Sequence, residues 1–135
     1  NKHIIDDLNA DGVGKNVEIF ADCAEPKSIK DIQDGGFRVV ACDKDAPVKS
    51  DKLKFQLQWM QGWKLFVTKD SLNLINELRN YVWQKDKDGK PLNIPIDKFN
   101  HLLDAMRYAV WTKWGKNAGQ GEYHVSIPNR KHKRR

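Results

Sequence analysis

Cysteine is scarce in this chain: two residues, Cys23 and Cys42, stand 19 apart with no Cys-x-x-Cys pair in 135 residues. That count is too small for a disulfide framework, and the spacing is wrong for a zinc knuckle, so a reducing cytosol suits the sequence. No apolar run approaches the roughly 20 residues that span a bilayer, and no charged-then-apolar segment opens the chain. The expectation is an intracellular protein without a membrane partner. No internal repeat is present. What remains, 39% apolar and 10% aromatic residues, suffices for one respectable core and predicts a single domain.

Positive charge is unevenly spread. Of the net charge of +6, five units come from Arg130, Lys131, Lys133, Arg134 and Arg135 within the last six residues, which leaves the body at +1. Such a tail suits contact with nucleic-acid phosphates and equally suits plain solvation, so residues 116–135 read as a flexible basic extension.

The body alternates strand and helix signals. Val17–Ala21 reads as a buried strand ending at Asp22, and Pro26 opens a helix through Ile29 and Ile32 that Gly35-Gly36 breaks. Phe37–Ala41 is a second strand. Ser50-Asp51 caps a helix carrying Leu53, Leu57 and Met60, closed by Gly62. Trp63–Val67 alternates as a strand, Ser71 starts a helix with Leu72, Ile75 and Leu78 inward, and Tyr81–Trp83 resembles a short strand. Asp86-Lys87-Asp88-Gly89-Lys90-Pro91 is turn chemistry, with Pro91 blocking a ladder. Asp97 then caps a helix to about Trp114, with Gly115 as its stop. This order predicts an α/β domain with a central, largely parallel sheet, whose ligand sites lie at strand carboxyl ends, where Asp22 falls.

Two segments carry candidate chemistry. On the last helix, Phe99, Leu103, Met106 and Val110 form an apolar stripe, while Asp97, His101, Asp104 and Tyr108 share the opposite face. An i, i+3 pair such as His101 and Asp104 can present an imidazole nitrogen and a carboxylate to one divalent cation. A solvated helix face explains the same spacing. Asp22 has a local alternative too, as an Asx-type turn or as a cap for the helix at Pro26. Lys27 is suited to neutralising a phosphate, or simply to the surface.

Two other patterns come close to known sites. Asp7-Leu8-Asn9-Ala10-Asp11-Gly12, followed by Glu18, satisfies the calcium-loop pattern, which keeps calcium binding open as a minor reading. Its context is poor: Gly14 takes the usually apolar eighth position, and Val17–Phe20 reads as strand. Gly12-Val13-Gly14-Lys15-Asn16 approaches a phosphate loop, but Asn9 replaces the first glycine and Asn16 the metal-binding hydroxyl, which excludes nucleotide binding there.

Taken together, Asp22-Cys23-Ala24-Glu25-Pro26-Lys27-Ser28-Ile29, Asn76-Glu77-Leu78-Arg79-Asn80-Tyr81-Val82-Trp83 and Phe99-Asn100-His101-Leu102-Leu103-Asp104-Ala105-Met106-Arg107-Tyr108 resemble the nuclease domain of tailed-phage and prophage terminase large subunits. The resemblance spans about residues 16 to 112. It implies an RNase H-like fold with a central mixed sheet flanked by helices, binding two Mg²⁺ or Mn²⁺ ions and cutting concatemeric double-stranded DNA during packaging. Asp22 matches the family's second catalytic aspartate, Asp104 its third, and His101 the histidine one turn earlier. A first catalytic aspartate, on a strand upstream of Asn1, is expected by the same pattern, so residues 1–115 read as an N-terminally incomplete nuclease domain lacking its first strand or strands, weak or inactive alone. The implied partners are DNA, the terminase ATPase domain, the small terminase subunit and the portal, in the bacterial host cytoplasm. A non-catalytic DNA- or motor-docking module is the alternative from a different functional class.

Overall fold

The computed structural model describes residues 2–115. Its elements follow in the order α1 (Lys2–Ala10), β1 (Glu18–Ala21), α2 (Pro26–Asp34), β2 (Arg38–Ala41), α3 (Lys52–Gln61), α4 (Leu72–Asn80), β3 (Trp83–Lys85), β4 (Pro91–Pro95) and α5 (His101–Trp114). The predicted basic tail, 116–135, lies outside the described residues.

The β1–α2–β2 unit forms as the sequence dictates. Pro26 sits in the first turn of α2, where a missing N–H costs nothing, and Ile29 and Ile32 fall on one face. Gly36, at φ +87°, makes the reversal into β2. The two strands then pair in parallel, from Glu18 opposite Arg38 to Ala21 opposite Ala41. Ile29, Ile32, Phe37 and Val39 form the buried core of this unit, with Ile5 and Leu8 of α1, Val13, Ile19 and Ala21 packed against it. Each such buried aliphatic contributes roughly 1.5–3 kcal/mol against exposure. Lys15, the lysine of the rejected phosphate loop, lies over the Phe37 ring at 3.3 Å and donates to the carbonyl of Gly35.

A second packed region joins α3 to α5. Trp111 is buried and meets Phe55 and Trp59 edge-on, at centroid separations of 5.9 and 5.2 Å. Gly115 closes against this cluster; a Cβ there would fall 2.3 Å from the Trp111 ring, so the stop position admits only glycine. α5 also packs along β1 and α4.

Several expectations are corrected. The described strands do not form one central sheet: β1–β2 is a parallel pair, and β3–β4 is a separate antiparallel hairpin. Trp63–Val67 is irregular rather than a strand, because no neighbouring strand among the described residues offers it a ladder; Phe66 is 76% exposed and Trp63 instead packs on Trp59. Tyr81 ends α4, so β3 begins at Trp83. Pro91 opens β4 instead of blocking it, a position where no N–H is missed. On α4, Leu72 is 71% exposed, whereas Leu78, 38% exposed, lines an apolar pocket with Met60, Leu103 and Met106.

The largest shift concerns α5. Phe99 takes a left-handed φ of +56°, which prevents helix at 97–99, so α5 starts at His101 instead of after Asp97. Its buried positions are Leu103, Arg107 and Trp111, one turn apart, and Phe99 is 42% exposed. The inward stripe is therefore rotated from the predicted one, with Met106 and Val110 only half-buried. Among the described residues no helix is long and apolar enough to cross a membrane.

Candidate metal centre

Asp22 follows the last residue of β1. Its Oδ1 accepts the backbone N–H of Ala24 at 2.9 Å, which is the local turn expected of an aspartate at a strand end. The same oxygen is 2.6 Å from Nζ of Lys44, three residues past β2. The parallel pairing delivers both groups to one end of the sheet. Chiefly through the Lys44 hydrogen bond, then that of Ala24, the carboxyl is held below its ordinary range, and the pairing pushes Lys44 up.

α5 runs antiparallel to β1. Lys113 near its end reaches Glu18 at 2.9 Å at the start of the strand, whereas Tyr108, one to two turns earlier, lies under Lys44 at 4.9 Å. Asp104 and His101 are further along the helix toward its N-terminus, beyond the strand's carboxyl end. Asp104 Oδ1 accepts from Arg107 Nη2 at 2.9 Å and Nε at 3.2 Å, and the Arg107 guanidinium stacks on Tyr108 at 4.4 Å. Asp22, Lys44, Tyr108, Arg107 and Asp104 thus form a continuous chain in which two carboxylate–cation pairs meet at one aromatic ring. In both carboxylates the hydrogen bonds fall on a single oxygen, Oδ1. The Tyr81 hydroxyl is pushed up by burial and then by the charge of Asp104. His101 is exposed on the first turn of α5.

The sequence profile of the terminase RNase H-like domain matches residues 2–111. The chain belongs to that family. Two relatives extend the likeness. The terminase large subunit of Bacillus phage SPP1 is 34% identical over 108 residues, which is 74% of this chain and 25% of that protein. The PBSX phage terminase large subunit of Bacillus subtilis strain 168 is 31% identical over 109 residues, 78% of this chain and 24% of that one. The chain therefore spans about a quarter of the length of these relatives. Among solved structures, the nuclease domain of the bacteriophage SPP1 large terminase, crystallised with bound Mn, superposes with a TM-score of 0.64 at 29% identity, over 81% of this chain and 61% of that one. This RNase H-like likeness holds although the described strands form two small sheets.

Four residues of this terminase domain were not singled out from sequence. Lys44 and Arg107 are the counterions just described. Gln56, with no solvent exposure, donates to the carbonyls of Lys44 and Asp45 at 3.2 and 3.1 Å and accepts from Nη1 of Arg107. Glu77 Oε2, on α4, accepts the N–H groups of Leu102 and Leu103 at 2.8 and 3.0 Å and caps α5 from outside the helix. A glutamine between the apolar positions Leu53, Leu57 and Met60, and an arginine on the inward face of α5, were the available signals. Lys44 sits in a charge-rich loop that gives none.

Other candidates resolve differently. Glu18 is paired with Arg38 at 2.9 Å as well as with Lys113, and Asn9 donates to the carbonyl of Ile5 within α1, so the calcium-loop reading fails for want of free ligands in a loop. Lys27 is exposed in the first turn of α2. Arg130, Lys131, Lys133, Arg134 and Arg135 lie outside the described residues. The two cysteines, dismissed on spacing, come together: one ligand atom each from Asp22, Cys23 and Cys42 lie within 4.8 Å of one another. That is the one group of three potential ligands among the described residues, and neither His101 nor Asp104 is in it. Burial pushes the Cys42 thiol up.

Proposed function

We propose that residues 1–115 act as the metal-dependent endonuclease domain of a DNA-packaging terminase, cutting concatemeric double-stranded DNA, with 116–135 as a basic tail that binds DNA. The ATPase domain, the small terminase subunit and the portal are the partners in this reading, and the host cytoplasm is the setting. The observation that carries it is the pair of carboxylates, Asp22 just past β1 and Asp104 on α5 of a terminase RNase H-like domain, each already balanced by a cation on one oxygen. A carboxylate of that kind has a second oxygen to offer and a place where positive charge is stabilised, so the donor set fits hard divalent cations such as Mg²⁺ or Mn²⁺.

Asp22 and Asp104 would hold the ions, with His101 as a further ligand or orienting group. A pair of such ions supplies Lewis-acid charge, favouring deprotonation of an attacking water and stabilising the leaving 3′ oxygen. The rest falls to the chain. Lys44 neutralises Asp22 until a cation arrives and then has its ammonium beside the site, suited to a backbone phosphate. Arg107 keeps Asp104 oriented, and Lys27 and the tail attract DNA phosphates. In the intact large subunit, Asp22→Asn and Asp104→Asn should each abolish plasmid cleavage while leaving the melting temperature within a few degrees, since the amide keeps size and loses charge. Cleavage retained in both variants would sink the assignment.

A further inference from the structure

We propose that Asp22, Cys23 and Cys42 form a binding site for a borderline-soft divalent cation, Zn²⁺ or Cd²⁺, at the carboxyl end of the parallel strand pair. The chain has only two cysteines, and both are delivered to the same point. The register explains how: β1 and β2 end at Ala21 opposite Ala41, the next residues are Asp22 and Cys42, and the Cys42 N–H donates to the Ala21 carbonyl at 2.7 Å. Cys42 is buried and Cys23 exposed, so one sulfur is fixed in the wall and the other is free to close from outside. Donor atoms within 4.8 Å of one another need little movement to meet one ion. Two thiolates and a carboxylate fill three tetrahedral positions and leave the fourth for water, the arrangement of an open zinc site. Sulfur also discriminates: Mg²⁺ and Mn²⁺ prefer oxygen, whereas Zn²⁺ and Cd²⁺ accept thiolate. Binding replaces two thiol protons and draws Asp22 from Lys44.

This site shares Asp22 with the proposed nuclease centre but does not rest on that reading. If both are right, the soft cation excludes a hard one from Asp22, and Zn²⁺ is an inhibitor. The test uses the full chain, reduced, titrated with Co²⁺ and followed by the thiolate-to-cobalt charge-transfer absorption. The expected result is one Co²⁺ per chain, displaced by Zn²⁺ and not by equimolar Mn²⁺. Cys23→Ser should weaken binding on the order of tenfold or more and halve the thiolate band, while Asp22→Asn keeps the band and loses affinity. Cys42→Ser puts a hydroxyl in a buried position and risks the fold, so the exposed Cys23 carries the test. Absence of a thiolate band in the reduced protein, an unchanged band in Cys23→Ser, or displacement by Mn²⁺ overturns the proposal. No cleavage is read, so a failed nuclease assignment leaves this outcome unaffected.

Discussion

The Arg107 guanidinium meets the Gln56 side-chain amide in the interior between α5 and α3, and both residues are buried. Gln56 spends its two donors on the carbonyls of Lys44 and Asp45 and its acceptor on Arg107. One amide therefore positions both cations that face the candidate metal ligands: Lys44 through its backbone, Arg107 through its head group. Glutamine is the side chain that serves this node, since it offers donors on one side and an acceptor on the other.

Removing that node should be expensive. Gln56→Ala leaves a buried arginine with Asp104 as its remaining hydrogen-bond partner and two carbonyls without their side-chain donor, a loss of about 2–3 kcal/mol. Gln56→Glu answers the arginine but sets a carboxylate against two carbonyl oxygens, so it should not restore the native value. Urea denaturation of the three proteins checks the order native, then Glu and Ala well below it. A Glu variant as stable as native would show that the carbonyl bonds contribute nothing.

Glu77 carries a separate prediction. Because the cap residue of α5, Asn100, turns its side chain to Asp97 and makes no side-chain capping bond, the orphan N–H groups depend on the Glu77 carboxylate across the α4–α5 contact. Glu77→Ala should cost about 1 kcal/mol, with the loss of protection in amide exchange concentrated at Leu102 and Leu103. Glu77→Gln keeps an acceptor and should lose less. Equal exchange rates in native and Ala proteins would mean the helix start is held by packing alone.

The cap and the node mark where sequence stops being legible. β1, α2, β2 and α3 were readable because their signals are local: Pro26 and Gly36 punctuate, and the Ile29–Ile32 spacing names the inward face. α5 was misread at its start because its cap comes from 25 residues away, and its stripe was misread because Arg107, a charged residue, is buried once Gln56 and Asp104 satisfy it. Trp63–Val67 alternates like a strand but finds no strand partner among the described residues, and pairing is a property of two segments. The terminase family was legible from three blocks in order. The Cys23–Cys42 approach was not, since it follows from a parallel register that pairs residues 20 apart and so brings the two strand ends together.

Stability should depend on pH through Glu18, which bridges Arg38 on β2 and Lys113 on α5. The Lys113 hydrogen bond, aided by both cations, holds its carboxyl below the ordinary value of 4.5. A carboxyl lowered on folding contributes stability that is complete above the unfolded value and is lost as pH falls through the folded one. Glu18→Gln should therefore be less stable than native at neutral pH, and the difference should close as pH drops below 4.5. Thermal melts of the two proteins at neutral and acid pH test this; a gap that stays constant would show that the ion pairs are not its source.

Lys44 sets the last expectation, because it stands where the proposed cation must act. Its ammonium is hydrogen-bonded to Asp22, so a divalent ion has to displace it and then tolerate its charge nearby. Lys44→Met keeps the stem that packs by Tyr108 and removes both penalties. Since the pair is partly exposed and screened, the gain is modest: Mn²⁺ affinity should rise two- to fivefold, roughly the worth of an exposed ion pair. Water-proton relaxation enhancement on Mn²⁺ titration measures it directly. Cleavage by the intact subunit should move the other way, as the ammonium beside the site is lost to the DNA phosphate. Tighter Mn²⁺ binding with unchanged cleavage would reduce Lys44 to a counterion, and unchanged Mn²⁺ binding would mean that the ion does not use Asp22.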